Sequence, residues 1–241
     1  MSIVFGTKLE AACAPLAELA AALARRLDVP LRLVHVSEDP RAPFVLGTDE
    51  EGILGPVRAR LTAEAERLRS LTGAKVHVHL AGGTVVNALV SVSELELATA
   101  LLVGGGAGST RHVLGSTAER VSRACSVPVL TLRDPARLSA WLRGERPLRV
   151  LAGADAGRTA TAARAFGAGL RKIGPCELEV VTVASPAETH ERLGLPPPAD
   201  EHALAAEAEE ALLRELSRVA PPEEAAATLR VVAGRGSADA H

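Results

Sequence analysis

The chain has 241 residues, 47% hydrophobic and 23% charged, with 27 basic against 29 acidic residues and a formal net charge of -2. That length supports one or two domains with a substantial core, and the charge balance excludes a strongly basic polyanion binder. With 2% aromatic residues, no Tyr and one Trp, a base-stacking surface is excluded too, and no nucleic-acid partner is expected. Cys13, Cys125 and Cys176 lie far apart and form no CxxC pair, which argues against a disulfide framework or a thiolate zinc site. The opening MSIVFGTKLE has neither the basic nor the apolar region of a signal peptide. No apolar run reaches the ~18 residues that span a bilayer. A soluble, cytoplasmic protein without a membrane partner is expected.

In chain order, Ile3–Gly6 reads as a buried strand. Leu16, Leu19, Leu23 and Leu27 then step along one helix face, with Pro15 in the first turn. Leu31–Val36 is a second strand and Pro56–Leu71 a helix. Lys75–Leu80 is a third strand, followed by a helix from Thr84 to about Leu97 and a fourth strand over Thr99–Val103. Gly115–Ala124 is a short helix, and Val127–Leu132 a fifth strand.

The order then repeats. Ile3–Lys8 matches Val150–Asp155 at an offset of 147, and Val34–Ser37 matches Val181–Ala184 at the same offset. Ala81-Gly82 matches Ala233-Gly234 at 152, which places five extra residues in the second copy. Three matches in one order predict a tandem duplication: domain 1 over residues 1–134, a polar, Arg-rich linker over 135–146, and domain 2 over 147–241. In register with the first copy, the second stops past its third strand and is incomplete. Strands alternating with helices predict an α/β fold with a parallel sheet covered on both faces. Such sheets bind ligands beyond the carboxyl ends of their strands, so the loops after strands one and four are the places to inspect.

The loop after strand four reads Gly104-Gly105-Gly106-Ala107-Gly108-Ser109-Thr110, and Gly115-Ser116-Thr117 opens the next helix. Glycines permit close backbone approach, and a helix N-terminus offers free amides to phosphate. The ordinary alternative is a connector followed by a Ser N-cap. The loop is neither a Walker A sequence nor a full GxGxxG.

The run Leu101–Leu132, with its Gly-rich loop, Gly115-Ser116-Thr117-Ala118-Glu119-Arg120-Val121 and Val127-Pro128-Val129-Leu130, resembles the C-terminal signature of the universal stress protein family. Ile3–Lys8 and Leu33-Val34-His35-Val36 fit the same family, over nearly all of the first copy and three strands of the second. The resemblance implies a Rossmann-like sheet of strand order 3-2-1-4-5. It also implies ATP across strands one and four, phosphates on a loop G-x2-G-x9-G-[ST], adenine near the end of strand two, and an Asp closing strand one. Carried over by position, the cofactor-binding candidates are Val36, Gly104, Gly115 and Ser116, with Thr117 as a further hydroxyl donor. The middle glycine falls among Gly105, Gly106 and Gly108, and Val183 is the counterpart of Val36.

Two departures stand out. Gly104 and Gly115 are 11 apart, two short of the family pattern. The acid closing strand one is Lys8 here, whereas the second copy keeps Asp155 but lacks the phosphate loop. An ammonium cannot accept a ribose hydroxyl or hold a cation, so lost nucleotide binding outweighs a phosphate-seeking Lys8. Elsewhere, His77 and His79 share a strand face without a third ligand, so a surface pair outweighs a metal site. The spacing of His190 and His202 around a Pro-rich loop supports nothing specific. Cys125 reads as a buried small hydrophobe. Glu207, Glu209, Glu210 and Glu215 read as the wet side of a helix whose other side carries Leu204, Ala208, Leu212 and Leu216.

The expectation is a non-catalytic universal stress protein that acts by association, with ATP and Mg binding weakened or lost. The alternative is an ATP-binding member with a shortened loop and slow hydrolysis. An enzyme would require a general base or metal carboxylate near the loop, and the first copy shows none. A homodimer through the Val127–Leu132 edge strand is expected.

Overall fold

The computed structural model describes residues 2–37, 50–105, 116–153, 169–200, 202–219 and 227–234. They fall into two compact units, Met1–Leu142 and Arg143–His241. The first contains β1 (Ile3–Gly6), α1 (Ala14–Arg26), β2 (Leu31–Ser37), α2 (Glu50–Thr72) and β3 (Val76–Gly82). It continues with α3 (Val85–Leu95), β4 (Ala100–Gly104), α4 (Ser116–Ala124), β5 (Val129–Leu132) and α5 (Pro135–Leu142). All strand pairs are parallel, and the sheet runs β3-β2-β1-β4-β5, the order the family resemblance implies. Parallel neighbours require crossovers that return over a sheet face, so both faces are helix-covered. The α1 helix buries Ala17, Leu19, Ala20, Ala21 and Ala24; these mostly small side chains let its backbone sit close to the sheet. On the opposite face, Val86, Leu89 and Val92 of α3 and Ala118 and Val121 of α4 pack against Val4, Val34, Leu101 and Val103.

Several boundaries differ from the sequence reading. α2 begins at Glu50, with Pro56 inside it, so one lost backbone bond is tolerated near the helix start. Leu97, at φ 47, closes α3. β5 begins at Val129, although the Pro128 carbonyl still accepts the Leu101 amide at 2.9 Å. Residues 135–142, expected as linker, form α5 in the first unit. Asp134 Oδ1 accepts the Ala136 amide at 2.9 Å, and Trp141 is only 2% exposed. Ala140 and Leu142 are buried beside it, so this part of the stretch packs as a helix.

The second unit contains β6 (Leu148–Gly153), β7 (Cys176–Ala184), α6 (Pro186–Leu193), α7 (Ala206–Val219) and β8 (Ala227–Ala233), with a parallel sheet β6-β7-β8. Ser185 precedes α6 and Pro186 occupies its first turn, while Gly194 ends it at φ 66, where a glycine avoids left-handed strain. α7 buries Ala208, Leu212 and Leu216 and exposes Glu207, Glu209 and Glu210, as its periodicity predicts. Leu216 meets Leu178, Val180 and Ala227 in the core. The ladders correct one offset. Leu31 faces Val76 and Leu178 faces Ala227. The third strands therefore correspond at 151, and the second copy carries four extra residues, not five.

Two glycines should respond oppositely to the same methyl group. A Cβ on Gly105 would stand 2.6 Å from Arg133 Cγ and 3.2 Å from Thr131 Cγ2, whereas one on Gly55, inside α2, meets nothing within 4 Å. In urea unfolding, Gly105→Ala should cost ~1–3 kcal/mol, and Gly55→Ala should stabilise by ~0.5–1 kcal/mol. Truncating the fully buried Leu33 to Ala should cost ~2–5 kcal/mol.

Candidate functional site

β1 and β4 are adjacent, with Phe5 opposite Leu102, so their exits leave the same sheet edge side by side. Beyond β1 the chain is held by bonds from several elements. The Thr7 amide donates to Val34 O at 2.8 Å. Thr7 Oγ1 accepts the Leu9 amide at 3.0 Å. His35 Nδ1 lies 2.9 Å from Thr7 O; a carbonyl only accepts, so this nitrogen carries the proton. Arg60 of α2 donates to Leu9 O at 2.7 Å. Leu9 itself sits at φ 57, a left-handed conformation costing ~1 kcal/mol or more for a residue other than Gly. The neighbouring bonds hold it there.

Lys8 is exposed at this exit and presents an ammonium in place of the carboxylate implied by the family pattern. Val36, at the end of β2, is half-buried against the α3–α4 layer. Gly104 is exposed at the end of β4, and Gly105 behind it is buried. The would-be Cβ of Gly104 lies 3.2 Å from Leu16 Cδ1, and the Gly105 amide donates to Leu132 O at 2.7 Å. Both glycines therefore meet internal packing demands. α4 starts at Ser116, and Thr117 in its first turn is exposed. Val36, Gly104, Gly105 and Lys8 thus gather at one sheet edge. Gly106, Gly108, Gly115 and Asp155 lie outside the described residues. Val183, the counterpart of Val36, lies on the second sheet and is 67% exposed.

His35 and Arg60 were missed by the sequence reading. Thr7 lies 28 residues from His35, and Leu9 lies 51 from Arg60; no short motif marks such pairs. Beside this loop runs a groove of about 330 Å³, lined by Thr7, Leu9, Cys13, Arg60, Glu64 and Arg67 among others. Arg67 bonds Glu64 and Glu18, and the hydrogen bond to Glu64, then that to Glu18, raises its guanidinium above the usual value. Arg67 and Glu64 in the groove wall are thus paired within the protein, and Arg60 is held by Leu9 O. At the β1 exit, Thr7 Oγ1 accepts the Leu9 amide and His35 donates to Thr7 O, bonds that position the loop.

Among the described residues no three His, Cys, Asp or Glu side chains come together as metal ligands. His77 is exposed and His79 half-buried on β3. Cys125 packs beside the α3–α4 core, and burial pushes the Cys176 thiol above its ordinary value. His190 is 5% exposed, with Nδ1 bonded to Pro196 O and Nε2 buried without a partner among the described residues. No described helix is long and apolar enough to cross a membrane.

Comparison with known proteins agrees with this architecture. The model of the universal stress protein family matches residues 1–133. Universal stress protein Slr1230 of Synechocystis sp. is 32% identical over 136 residues, covering 54% of this chain and 42% of that protein. The chain thus matches less than half of that relative's length. Universal stress protein MJ0531 of Methanocaldococcus jannaschii is 28% identical over 122 residues, covering 47% of this chain and 70% of that protein. A solved universal stress protein from Archaeoglobus fulgidus shares the fold over 97% of this chain and 78% of its own, with a TM-score of 0.61 and 17% identity. With the family model covering more than half of the sequence and the sheet order in agreement, this chain belongs to the universal stress protein family.

Proposed function

We propose that this protein is a non-catalytic, cytoplasmic member of its family that serves a stress response through association, with nucleotide binding weakened. The observation that carries this reading is the exit of β1. Its polar backbone groups are engaged by His35, Arg60 and the loop's own hydroxyl, and its exposed charge at position 8 is an ammonium. A magnesium–nucleotide complex requires an anionic or neutral oxygen donor there, so Lys8 does not fit that group. A second reading, ATP binding with slow hydrolysis, rests on α4. Its nine residues begin at Ser116, and its first amides would suit a phosphate.

Association would run through β5, the outer strand of its sheet. Leu101 and Gly105 donate to Pro128 O and Leu132 O. In a parallel ladder this alternation directs the Val129 and Thr131 amides to the free edge.

Isothermal titration of the purified chain with ATP and magnesium should show no saturable heat up to ~1 mM nucleotide. Micromolar binding abolished by Gly115→Val would overturn the first reading in favour of the second. Binding that survives Gly115→Val but is lost in Asp155→Ala would assign the site to the second repeat. Lys8→Asp should raise nucleotide affinity if the charge at the exit is the defect. For assembly, Thr131→Pro removes only an outward amide, which an edge strand tolerates. Light scattering should show that it lowers the dimer fraction while the melting temperature holds; an unchanged dimer would rule out pairing through β5.

A further inference from the structure

On the face of the first sheet that carries Val4 and Val34, the helix cover stops short of the rim. α3 packs chiefly over β1, β2 and β4, and β3, the outer strand, lies at the margin of that cover. His77 and His79 stand two residues apart on β3. The ladder pairs them with Arg32 and Val34, so both side chains leave the sheet on the α3 side. His77 is exposed and His79 half-buried. Among the described residues neither imidazole makes a hydrogen bond or an ion pair. The nearest cation on this face is already compensated, with Arg32 Nε 2.9 Å from Glu96 Oε2. At the offset of 151, the same places in β8 are Thr228 and Arg230, so the pair belongs to the first unit alone.

Two free imidazoles on one strand face can act as a chelate. Alternate residues of a strand are ~6.6 Å apart. Rings inclined toward each other can each bring one nitrogen to within ~2.0–2.1 Å of a single ion. The donor type decides which ion. Imidazole nitrogen suits Cu²⁺, Ni²⁺ and Zn²⁺, whereas Mg²⁺ and Ca²⁺ take oxygen ligands. No group of three His, Cys, Asp or Glu side chains forms among the described residues, so water completes the coordination. Neither ring has an acceptor fixing its second nitrogen, a support whose loss typically costs ~10–100-fold in affinity. Such a site holds an exchangeable ion, not a structural one.

We propose that His77 and His79 form a two-nitrogen site on β3 for a late first-row divalent metal ion, separate from the β1 exit and from any nucleotide. The metal keeps open positions occupied by water, and its binding requires both rings.

The test is isothermal titration of the full chain with nickel chloride, an ion that does not oxidise the free thiols of Cys13, Cys125 and Cys176. The parent chain should show a saturable, one-to-one event below ~1 mM. His77→Gln and His79→Gln should each weaken it by at least ~10-fold, because each removes a donor that the strand holds at high effective concentration. His202→Gln, outside the pair, should leave it unchanged, as should ~10 mM magnesium. Circular dichroism melts report folding. If half-buried His79 does not tolerate the change, the exposed His77→Gln decides alone. The proposal is overturned if the parent shows no saturable event, if either folded variant of the pair binds as the parent does, or if His202→Gln or magnesium removes the signal.

Discussion

A parallel strand at the centre of a sheet has no surface of its own. β1 is bonded along one edge to β2 and along the other to β4, and Ile3, Val4 and Phe5 are lost to solvent entirely or nearly so. Every polar group of its backbone must therefore find a partner in a neighbouring strand, and the chain regains access to water only where β1 ends. The place of the candidate site follows from this requirement. Thr7, Lys8 and Leu9 emerge at the first point where the ladder stops, beside the exit of β4, and Thr7 and Leu9 are immediately tied by Val34, His35 and Arg60. The strained backbone of Leu9 is tolerable because bonds from two other elements determine the loop.

The two units show what the same strand pattern does under different cover. Val4 and Val34 lie sealed beneath α3 and α4, and Arg32 beside them reaches Glu96 at 2.9 Å just past α3. In the second unit the position of Arg32 is held by Glu179, whose partner is Arg230 on the next strand of the same sheet. An ion pair from sheet to helix is thus replaced by one from strand to strand. The face that one unit closes internally is, in the other, polar at one end, apolar at the other and neutral in total.

Much of the architecture was legible because burial imposes period. Five apolar runs separated by helical spacing place the strands of the first unit, and Ala208, Leu212 and Leu216 trace the inward face of α7 without further information. What escaped depends on distance or on a single anchor. The stretch read as linker is Arg-rich as a whole, and the burial of Ala140, Trp141 and Leu142 is what marks its first part, α5, as belonging to a core. Pro56 suggested a helix start, but α2 runs through it from Glu50. Around the candidate site, Lys8 was recognisable from its place after the first strand. The clamp formed by His35 and Arg60 was not, because their partners are brought together only by the completed crossovers. Gly105 was read as a loop residue open to ligand, yet its missing side chain makes room for Arg133 and Thr131.

The shift from an offset of 147 to one of 151 between the copies falls wholly between the second and third strands. A single residue added within a strand would turn every following side chain to the wrong face. The same addition in a crossover costs only a small increment of closure entropy. Two units of matching strand order can therefore differ in length while keeping their inward and outward sets intact, and the return path over the sheet is where such a difference is accommodated.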